Sequence, residues 1–318
     1  MATNNEENVK PELKSNTLKD NLKVHRLDSD TDTNKLKRDD AKTEISAKAA
    51  PSEISAKPIS TSTSLIVHGP SNRSSSTSSE IEWEDKITVF INKEDKQMIL
   101  YEYANSLAIQ AFLKMCNLGY DIEQRENAAD MSPTRTIPFI KVEKCIVGGL
   151  ENIVHFIKNK NINLSDKLSH DQKINLNSYM ALTNNLKLVE IYICWRDKTT
   201  YKEVTRLKNG SVYPWPLNWI HTLMRRNQAN KYLKSFEWND KSLSEVLYEF
   251  ERTCDALNRR LDGKTRFFEI GDTELDACVF GHLYAILYTP LPKNYLTNYA
   301  KGFPKLIKFV KRVKKDYF

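Results

Sequence analysis

Residues 131–149, which read MSPTRTIPFIKVEKCIVGG, are the part of this chain that says most about its fold. It contains an Ile137-Pro138 step followed by two short apolar runs and a pair of glycines. Proline lacks the N–H that a strand ladder uses and holds the preceding residue in an extended conformation, so it is typical of the start of a strand. Glycine adopts conformations that end one. The stretch therefore predicts a loop, a β-hairpin that begins at Pro138, and a stop.

Apolar patterning on both sides of the hairpin predicts the elements around it. They are a buried strand, a helix, an extended segment and, after the hairpin, a second helix: Ile87–Ile91, Ser106–Asn117, Tyr120–Glu126 and residues 150–158. This β-α-β-Pro-β-β-α order is that of a thioredoxin-like domain. We therefore expect such a domain over residues 81–160, with Pro138 as a structural residue.

In a thioredoxin-like domain the loop proline, usually cis, lies against the N-terminus of the first helix, where thiol or glutathione chemistry takes place. In this sequence that position reads Tyr103-Ala104-Asn105-Ser106, without a cysteine. Ser106 fits a helix cap better than an activating hydroxyl. Tyr101 and Tyr103 are competent donors, but tyrosines between a strand and a helix more often pack. The scaffold is thus expected without its chemistry, and no catalytic or cofactor-binding residue is assigned.

The first 80 residues differ in composition from the rest of the chain. They carry 12 Lys and Arg against 12 Asp and Glu, and Ser, Thr, Asn and Lys dominate them. Such a segment buries too little apolar surface to offset its ordering entropy, so residues 1–80 are predicted to be a disordered tail. The acidic residues also disfavour a mitochondrial presequence, which is Arg-rich and poor in acids.

The second half of the chain predicts an all-helical domain over residues 165–318. Three capping boxes precede apolar helical patterns, at Ser169, Ser242 and Thr273. Thr273 and Asp276 are assigned as structural residues, a folding cap rather than a catalytic carboxylate. The longest uncharged run, Ala277–Pro292, is too short and too interrupted to span a bilayer. The histidines are isolated and no CxxC or HExxH motif occurs, so no metal site is predicted.

Two segments of the helical half are candidates for interaction. Trp215 and Trp219 flank Pro216, which fits the first turn of a helix, and these tryptophans either pack in the core or anchor a partner.

The second segment is residues 301–318, which contain seven Lys and Arg against one acid and so carry a net charge of +6. These cations lie opposite an apolar stripe. They predict a basic amphipathic helix, either the last helix of a bundle or a contact with an anionic surface. Its candidate contact residues are Lys308, Lys311, Arg312, Lys314 and Lys315. Nucleic acid is disfavoured, because no recognised binding module accompanies the basic run.

Several blocks carry a family resemblance: LYEYANSLAIQAFLKMCNL (100–118), NAADMSPTRTIPFI (127–140), YPWPLN (213–218), TELDACVFGHLYAIL (273–287) and the terminal DYF. In this order they resemble the metaxin family, within the glutathione transferase superfamily, over about residues 87–318. The expected fold class is therefore an α+β thioredoxin-like domain followed by a glutathione-transferase-like helical bundle. In glutathione-using members an acidic residue and a serine after the last strand hold the γ-glutamyl group. That position here reads Gly149-Leu150, with Glu151 one step late.

The resemblance implies a non-enzymatic component of the import and β-barrel sorting and assembly machinery, peripheral on the cytosolic face of the mitochondrial outer membrane. It implies three partners: a membrane-anchored metaxin-1-like protein, a β-barrel assembly subunit and precursor proteins. It implies no cofactor. Two other functions stay open from the sequence, a glutathione-dependent transferase or peroxidase and a cytosolic glutathione-transferase-like interaction module.

Overall fold

The computed structural model describes residues 86–318, so the predicted disordered tail over residues 1–80 lies outside the described residues. The chain begins there with a four-stranded sheet: β1 (Ile87–Asn92), β2 (Tyr120–Arg125), β3 (Phe139–Val142) and β4 (Cys145–Gly148). The strand order is β2-β1-β3-β4, with β1 parallel to β2 and β3 antiparallel to both of its neighbours. The predicted hairpin is thus β3–β4, and Phe139 pairs with Gly148.

Three helices accompany the sheet: α1 (Leu100–Met115), α2 (Ala128–Met131) and α3 (Leu150–Lys158). Helix α3 has the predicted bounds, but the prediction that α1 begins at Ser106 is wrong. Helix α1 begins six residues earlier because Leu100, Ala104 and Leu107 are buried at helical spacing. The Glu102 carboxylate also accepts a hydrogen bond from the N–H of Ile99 at 3.5 Å, as a third-position acid does in a capping box.

The remainder is helical: α4 (His170–Trp195), α5 (Lys198–Thr200), a π-helical turn (Tyr201–Thr205), α6 (Arg206–Gly210), α7 (Leu217–Ser235), α8 (Leu243–Leu261), α9 (Glu274–Tyr288), α10 (Tyr295–Lys301) and α11 (Pro304–Tyr317). The predicted caps are present. Ser169 accepts from the N–H of Gln172 at 3.3 Å, and Ser242 accepts from that of Glu245 at 3.3 Å. The fold class is as predicted, a thioredoxin-like sheet followed by a glutathione-transferase-like helical part.

Close packing of α1 on α9 joins the sheet to the helices. Gly281 of α9 permits it, since a Cβ there would lie 2.5 Å from the carbonyl oxygen of Ala104 and 2.5 Å from the nitrogen of Ala108. Large side chains from both parts are fully buried in the same core, among them Phe112, Trp195 and Phe280. The sheet and the helices therefore share one apolar core.

Candidate interaction site

Pro138 stands at the head of β3. The Ile137-Pro138 peptide is cis, and the Pro138 carbonyl accepts a hydrogen bond from the N–H of Gly149 at 3.4 Å. Phe139, the next residue, pairs with Phe90 of β1, and their rings are stacked with centroids 4.8 Å apart. The loop, the sheet and the start of α3 thus meet at this proline.

The first turn of α1 holds a carboxylate of the protein itself. Glu102 is buried there, and its carboxylate accepts hydrogen bonds from the N–H of Ile99 at 3.5 Å and from Nδ2 of Asn92 at 3.2 Å. Burial raises the pKa of Glu102, while the Arg225 guanidinium, 3.8 Å away, opposes that shift. A thiolate at this helix end would meet a carboxylate rather than free N–H donors.

The candidate hydroxyl groups of α1 are held by packing. Burial raises the pKa of Tyr101 and of Tyr103 above the ordinary phenol value, and both rings pack against the core. Ser106 is buried in the middle of α1, where its hydroxyl accepts from Nε2 of Gln110 at 3.0 Å. The interpretation of Ser106 as a cap is wrong, because α1 has already begun at Leu100.

The end of β4 is covered by hydroxyl side chains. Ser132 and Thr134 have oxygens 3.0 Å apart, and a Cβ at Gly148 would lie 2.6 Å from Oγ1 of Thr134. Asn152 donates to the Gly148 carbonyl at 2.9 Å, and Glu151 is exposed. The end of β4 thus presents a backbone turn packed by Ser132 and Thr134.

A polar cleft of about 330 Å³ lies between the sheet loops and α7. Its lining residues are Asn92, Gln97, Asn127, Asp130, Arg135, Asn209, Tyr213, His221, Met224, Arg225 and Gln228. Gln97 and Asn127 bond to each other twice at 2.8 Å, and the Tyr213 ring stacks on His221 at 4.1 Å. The described lining includes no cysteine or serine, so it can hydrogen-bond a small polar molecule but offers no thiol or seryl nucleophile.

A buried ion pair links α4 to α9. Nδ1 of His282 lies 2.9 Å from Oε2 of Glu190, and both side chains are almost fully buried. Burial alone would lower the pKa of His282, but the facing carboxylate raises it to about 10. In residues 86–318, no three His, Cys, Asp or Glu side chains group as metal ligands. The sequence signal for this pair was a single acid and a single histidine in otherwise apolar helical segments.

The cap of α9 is connected to α11. The Asp276 carboxylate accepts from the N–H and the hydroxyl of Thr273 at 2.9 and 2.8 Å, and burial raises its pKa to about 6. Beside it, the buried Asp272 binds Arg312 at 2.7 Å and the Tyr317 hydroxyl at 2.7 Å. Thr273 and Asp276 therefore belong to a structural network that holds the last helix.

This network changes the interpretation of the basic helix. Arg312 is only 15% exposed and pairs with Asp272. The prediction that it is a free surface contact is therefore wrong. Lys308, Lys311 and Lys315 are exposed. Lys314 is also exposed, although its ammonium group donates to the Tyr284 hydroxyl at 2.8 Å. The other side of α11 is buried on α8 and α9, so α11 is a bundle helix with five exposed lysines, Lys305 among them.

Trp215 and Trp219 are among the most exposed large side chains of the described residues, with 83% and 64% of their surface accessible. Packing in the core, one of the two alternatives left open, is therefore wrong for both. Pro216 is the cap before α7 rather than a residue of its first turn. Further apolar side chains of α7 are exposed beside the tryptophans: Leu217, Ile220, Leu223 and Met224. The helical spacing of this apolar set was visible in the sequence.

No helix within residues 86–318 combines the length and the apolarity that crossing a bilayer requires.

Comparison with known families adds two matches. Residues 106–226 match the family described as "Outer mitochondrial membrane transport complex protein". Residues 250–313 match the glutathione S-transferase C-terminal domain. The second match covers most of α8 through α11 and agrees with the helical architecture.

Curated relatives match most of the chain. It is 40% identical over 237 residues to human Metaxin-2, which covers 74% of this chain and 90% of the relative. It is 31% identical over 207 residues to the Metaxin-2 homolog of Caenorhabditis elegans, with 65% and 90% covered. Mouse Metaxin-1 is 26% identical over 222 residues, with 67% and 70% covered.

Solved glutathione transferases are structural neighbours at low sequence identity. The enzyme from Methylobacillus flagellatus, solved with glutathione bound, aligns with a TM-score of 0.47 and 11% identity, covering 73% of this chain and 98% of its own. The enzyme from Xylella fastidiosa aligns with a TM-score of 0.40 and 12% identity, covering 72% and 98%.

Proposed function

Because the chain belongs to the metaxin family and is of the metaxin-2 type, we propose that it is a docking subunit of the mitochondrial outer-membrane transport complex. It acts on the cytosolic face, in protein import and in β-barrel sorting and assembly. The observation that carries the proposal is the family match together with the exposed apolar surface of α7. Large exposed apolar side chains grouped on one helix are typical of interaction sites.

The partners follow from the same assignment. They are a membrane-anchored metaxin-1-like protein, a β-barrel assembly subunit of the outer membrane and incoming precursor proteins. The resemblance of the chain to mouse Metaxin-1 and the family match to an outer-membrane transport complex support the first. The outward Lys308, Lys311, Lys314 and Lys315 supply an electrostatic contact with an anionic surface at the membrane.

Affinity purification of the full chain from detergent-solubilised mitochondria tests this proposal. We expect an outer-membrane β-barrel assembly subunit and a metaxin-1-like protein to copurify, and alkaline carbonate to extract the chain from the membrane. Recovery of the chain in the cytosol alone would support the rival cytosolic interaction module. Retention in the carbonate pellet would contradict peripheral attachment.

The α11 lysines are tested with Arg312 left in place, so that the network beneath the helix stays intact. Changing Lys308, Lys311, Lys314 and Lys315 to Ser should weaken association with mitochondria more at low than at high salt, since salt screens exposed charges. The matched control changes four other exposed lysines, Lys141, Lys144, Lys167 and Lys173, to Ser. Equal loss in both variants would refute a specific role for α11.

We also propose that the chain is not an enzyme. Two observations support this: the buried Glu102 carboxylate at the start of α1, and the Gly149-Leu150 pair after β4 in place of an acidic residue and a serine. The rival is a glutathione-dependent transferase or peroxidase. Calorimetric titration of the full chain with glutathione should give no saturable heat. An affinity in the tens of micromolar or better would favour the rival.

A further inference from the structure

The "α7 face" consists of Trp215, Leu217, Trp219, Ile220, Leu223 and Met224, all of which are at least 40% exposed. These apolar side chains face solvent, whereas those of an ordinary surface helix face the protein. The inward side of α7 carries Thr222, Ala229 and Leu233, while Ile220 and Met224 point to solvent one turn apart. A surface helix normally turns its apolar residues inward, so this side requires a further partner.

The segment of the chain that carries the α7 face is rich in cations. Residues 198–235, from α5 to the end of α7, contain eight Lys and Arg and a single acid, Glu203. Five of these cations are exposed, and none forms an ion pair with a described carboxylate: Lys198, Lys202, Arg206, Lys231 and Lys234. Lys231 and Lys234 lie on α7 itself, beyond its apolar side chains, so a partner that is apolar at its centre and anionic beyond it fits this helix.

An anionic lipid bilayer has this chemistry. Its acyl boundary accepts apolar side chains, tryptophan is enriched at the headgroup level, and Lys and Arg bind the phosphate layer. A protein interface is also enriched in Trp and Met, but it is depleted in Lys, whereas Lys231 and Lys234 follow the apolar side chains here. Along α7, Ile220 and Met224 are followed on the same side by Lys231, two turns further on, so one helix side offers apolar and then cationic groups.

We propose that the α7 face binds the surface of an anionic lipid bilayer, with Trp215 and Trp219 at headgroup level and Lys231 and Lys234 on the phosphates. This deepens the proposed function and rests on its outer-membrane location. The surface differs from the α11 lysines, since α7 packs on α4 and α6 whereas α11 packs on α8, α9 and α10.

The test uses the purified full chain and vesicles of phosphatidylcholine with or without phosphatidylserine. Flotation measures binding, and quenching by lipids brominated along the acyl chain measures tryptophan depth. Trp195 and Trp238 are buried and Trp83 is removed by a Trp83→Phe background, so the quenched signal comes from Trp215 and Trp219. We expect binding to the anionic vesicles, with quenching, and little binding to neutral ones.

The decisive variant is Trp215→Ala with Trp219→Ala. It should weaken vesicle binding by about tenfold or more, since each tryptophan presents a large amphipathic surface. Its matched control is Ile174→Ala with Tyr248→Ala, two side chains exposed by 52% and 63% on α4 and α8, which should bind as the parent does.

The charge variant is Lys231→Gln with Lys234→Gln. At low salt it should lose about fivefold in binding per charge. Lys167→Gln with Lys173→Gln is its control and should lose little.

Unchanged vesicle binding by the tryptophan variant would overturn the proposal. So would equal binding to neutral and anionic vesicles. If the parent binds no vesicle and the tryptophan variant instead loses the metaxin-1-like partner from mitochondria, the α7 face is a protein interface, and the proposed function stands without this inference. If the chain binds vesicles through the α7 face but is absent from the outer membrane in cells, the proposed function fails and the lipid surface remains.

Discussion

Arg312 should be the one cation of α11 whose removal unfolds the protein more easily. Its Nη1 lies 2.7 Å from Oδ1 of Asp272 and its Nη2 lies 3.7 Å from Oδ1 of Asp276, both on buried carboxylates. Changing it to Gln removes the positive charge and leaves the two acids facing each other in the loop that caps α9. Burial and Asp272 already hold the pKa of Asp276 near 6. Without the guanidinium that pKa should rise further.

The loss of unfolding free energy depends on which partners Asp272 keeps in the variant. Removing one member of a buried ion pair typically costs about 3–5 kcal/mol. Asp272 keeps Arg266 at 3.1 Å and the Tyr317 hydroxyl at 2.7 Å, and Arg312 retains some exposure, so the loss should be smaller. We expect Arg312→Gln to lower the free energy of unfolding by about 2–3 kcal/mol.

Urea unfolding followed by circular dichroism measures this loss. Lys308→Gln and Lys311→Gln are matched controls on the same helix, and each should change the free energy of unfolding by less than about 0.5 kcal/mol. A double-mutant cycle with Asp272→Asn isolates the pair and should show a coupling of about 1–3 kcal/mol. If Arg312→Gln changes the free energy of unfolding no more than the lysine controls do, the buried ion pairs of Arg312 do not stabilise the fold.

Three further changes probe the core and the caps. Thr273→Ala should cost about 0.5–2 kcal/mol in urea unfolding through the lost cap, and an unchanged midpoint would show that α9 does not depend on it. The folded-state pKa of His282 is raised to about 10, so its stabilising charge should be fully present below about pH 6.5 and lost as the pH rises toward 10. Glu190→Gln should cost about 3–5 kcal/mol at neutral pH and flatten that decline, whereas an equally steep decline would contradict the assignment. Gly281→Ala should cost at least about 1–3 kcal/mol by forcing α9 away from Ala104, which thermal unfolding can detect.

Local signals in the sequence predicted those parts of the fold that local chemistry decides. Ser169 and Ser242 begin α4 and α8 because each hydroxyl satisfies a backbone N–H three residues on. Pro138 immediately precedes β3, and Gly149, with a φ of 87°, is the cap from which α3 begins. Each of these positions depends on atoms within a few residues, so a single sequence carries the information.

Positions decided by distant contacts were not predictable in this way. The start of α1 at Leu100 depends on burial of its first turns against α9. From the sequence, Tyr101 and Tyr103 were interpreted as residues between a strand and a helix. The Glu190–His282 pair joins residues 92 positions apart. Without knowledge of which faces of α4 and α9 meet, neither residue stands out from an ordinary core position.

Which charges are exposed also depends on distant contacts, so counting Lys and Arg in the sequence does not locate an interaction surface. Counting charges places +6 on residues 301–318, yet the fold uses Arg312 internally and leaves the lysines on a helix whose apolar side is already covered. In α7 the opposite holds, because the apolar side of the helix is uncovered and its exposed cations, Lys231 and Lys234, form no ion pair with a described carboxylate. A covered helix with solvated lysines is complete without a partner, whereas the α7 face leaves apolar surface in water. The free energy available for docking is therefore concentrated on α7. The exposed lysines of α11 add an electrostatic attraction that salt screens.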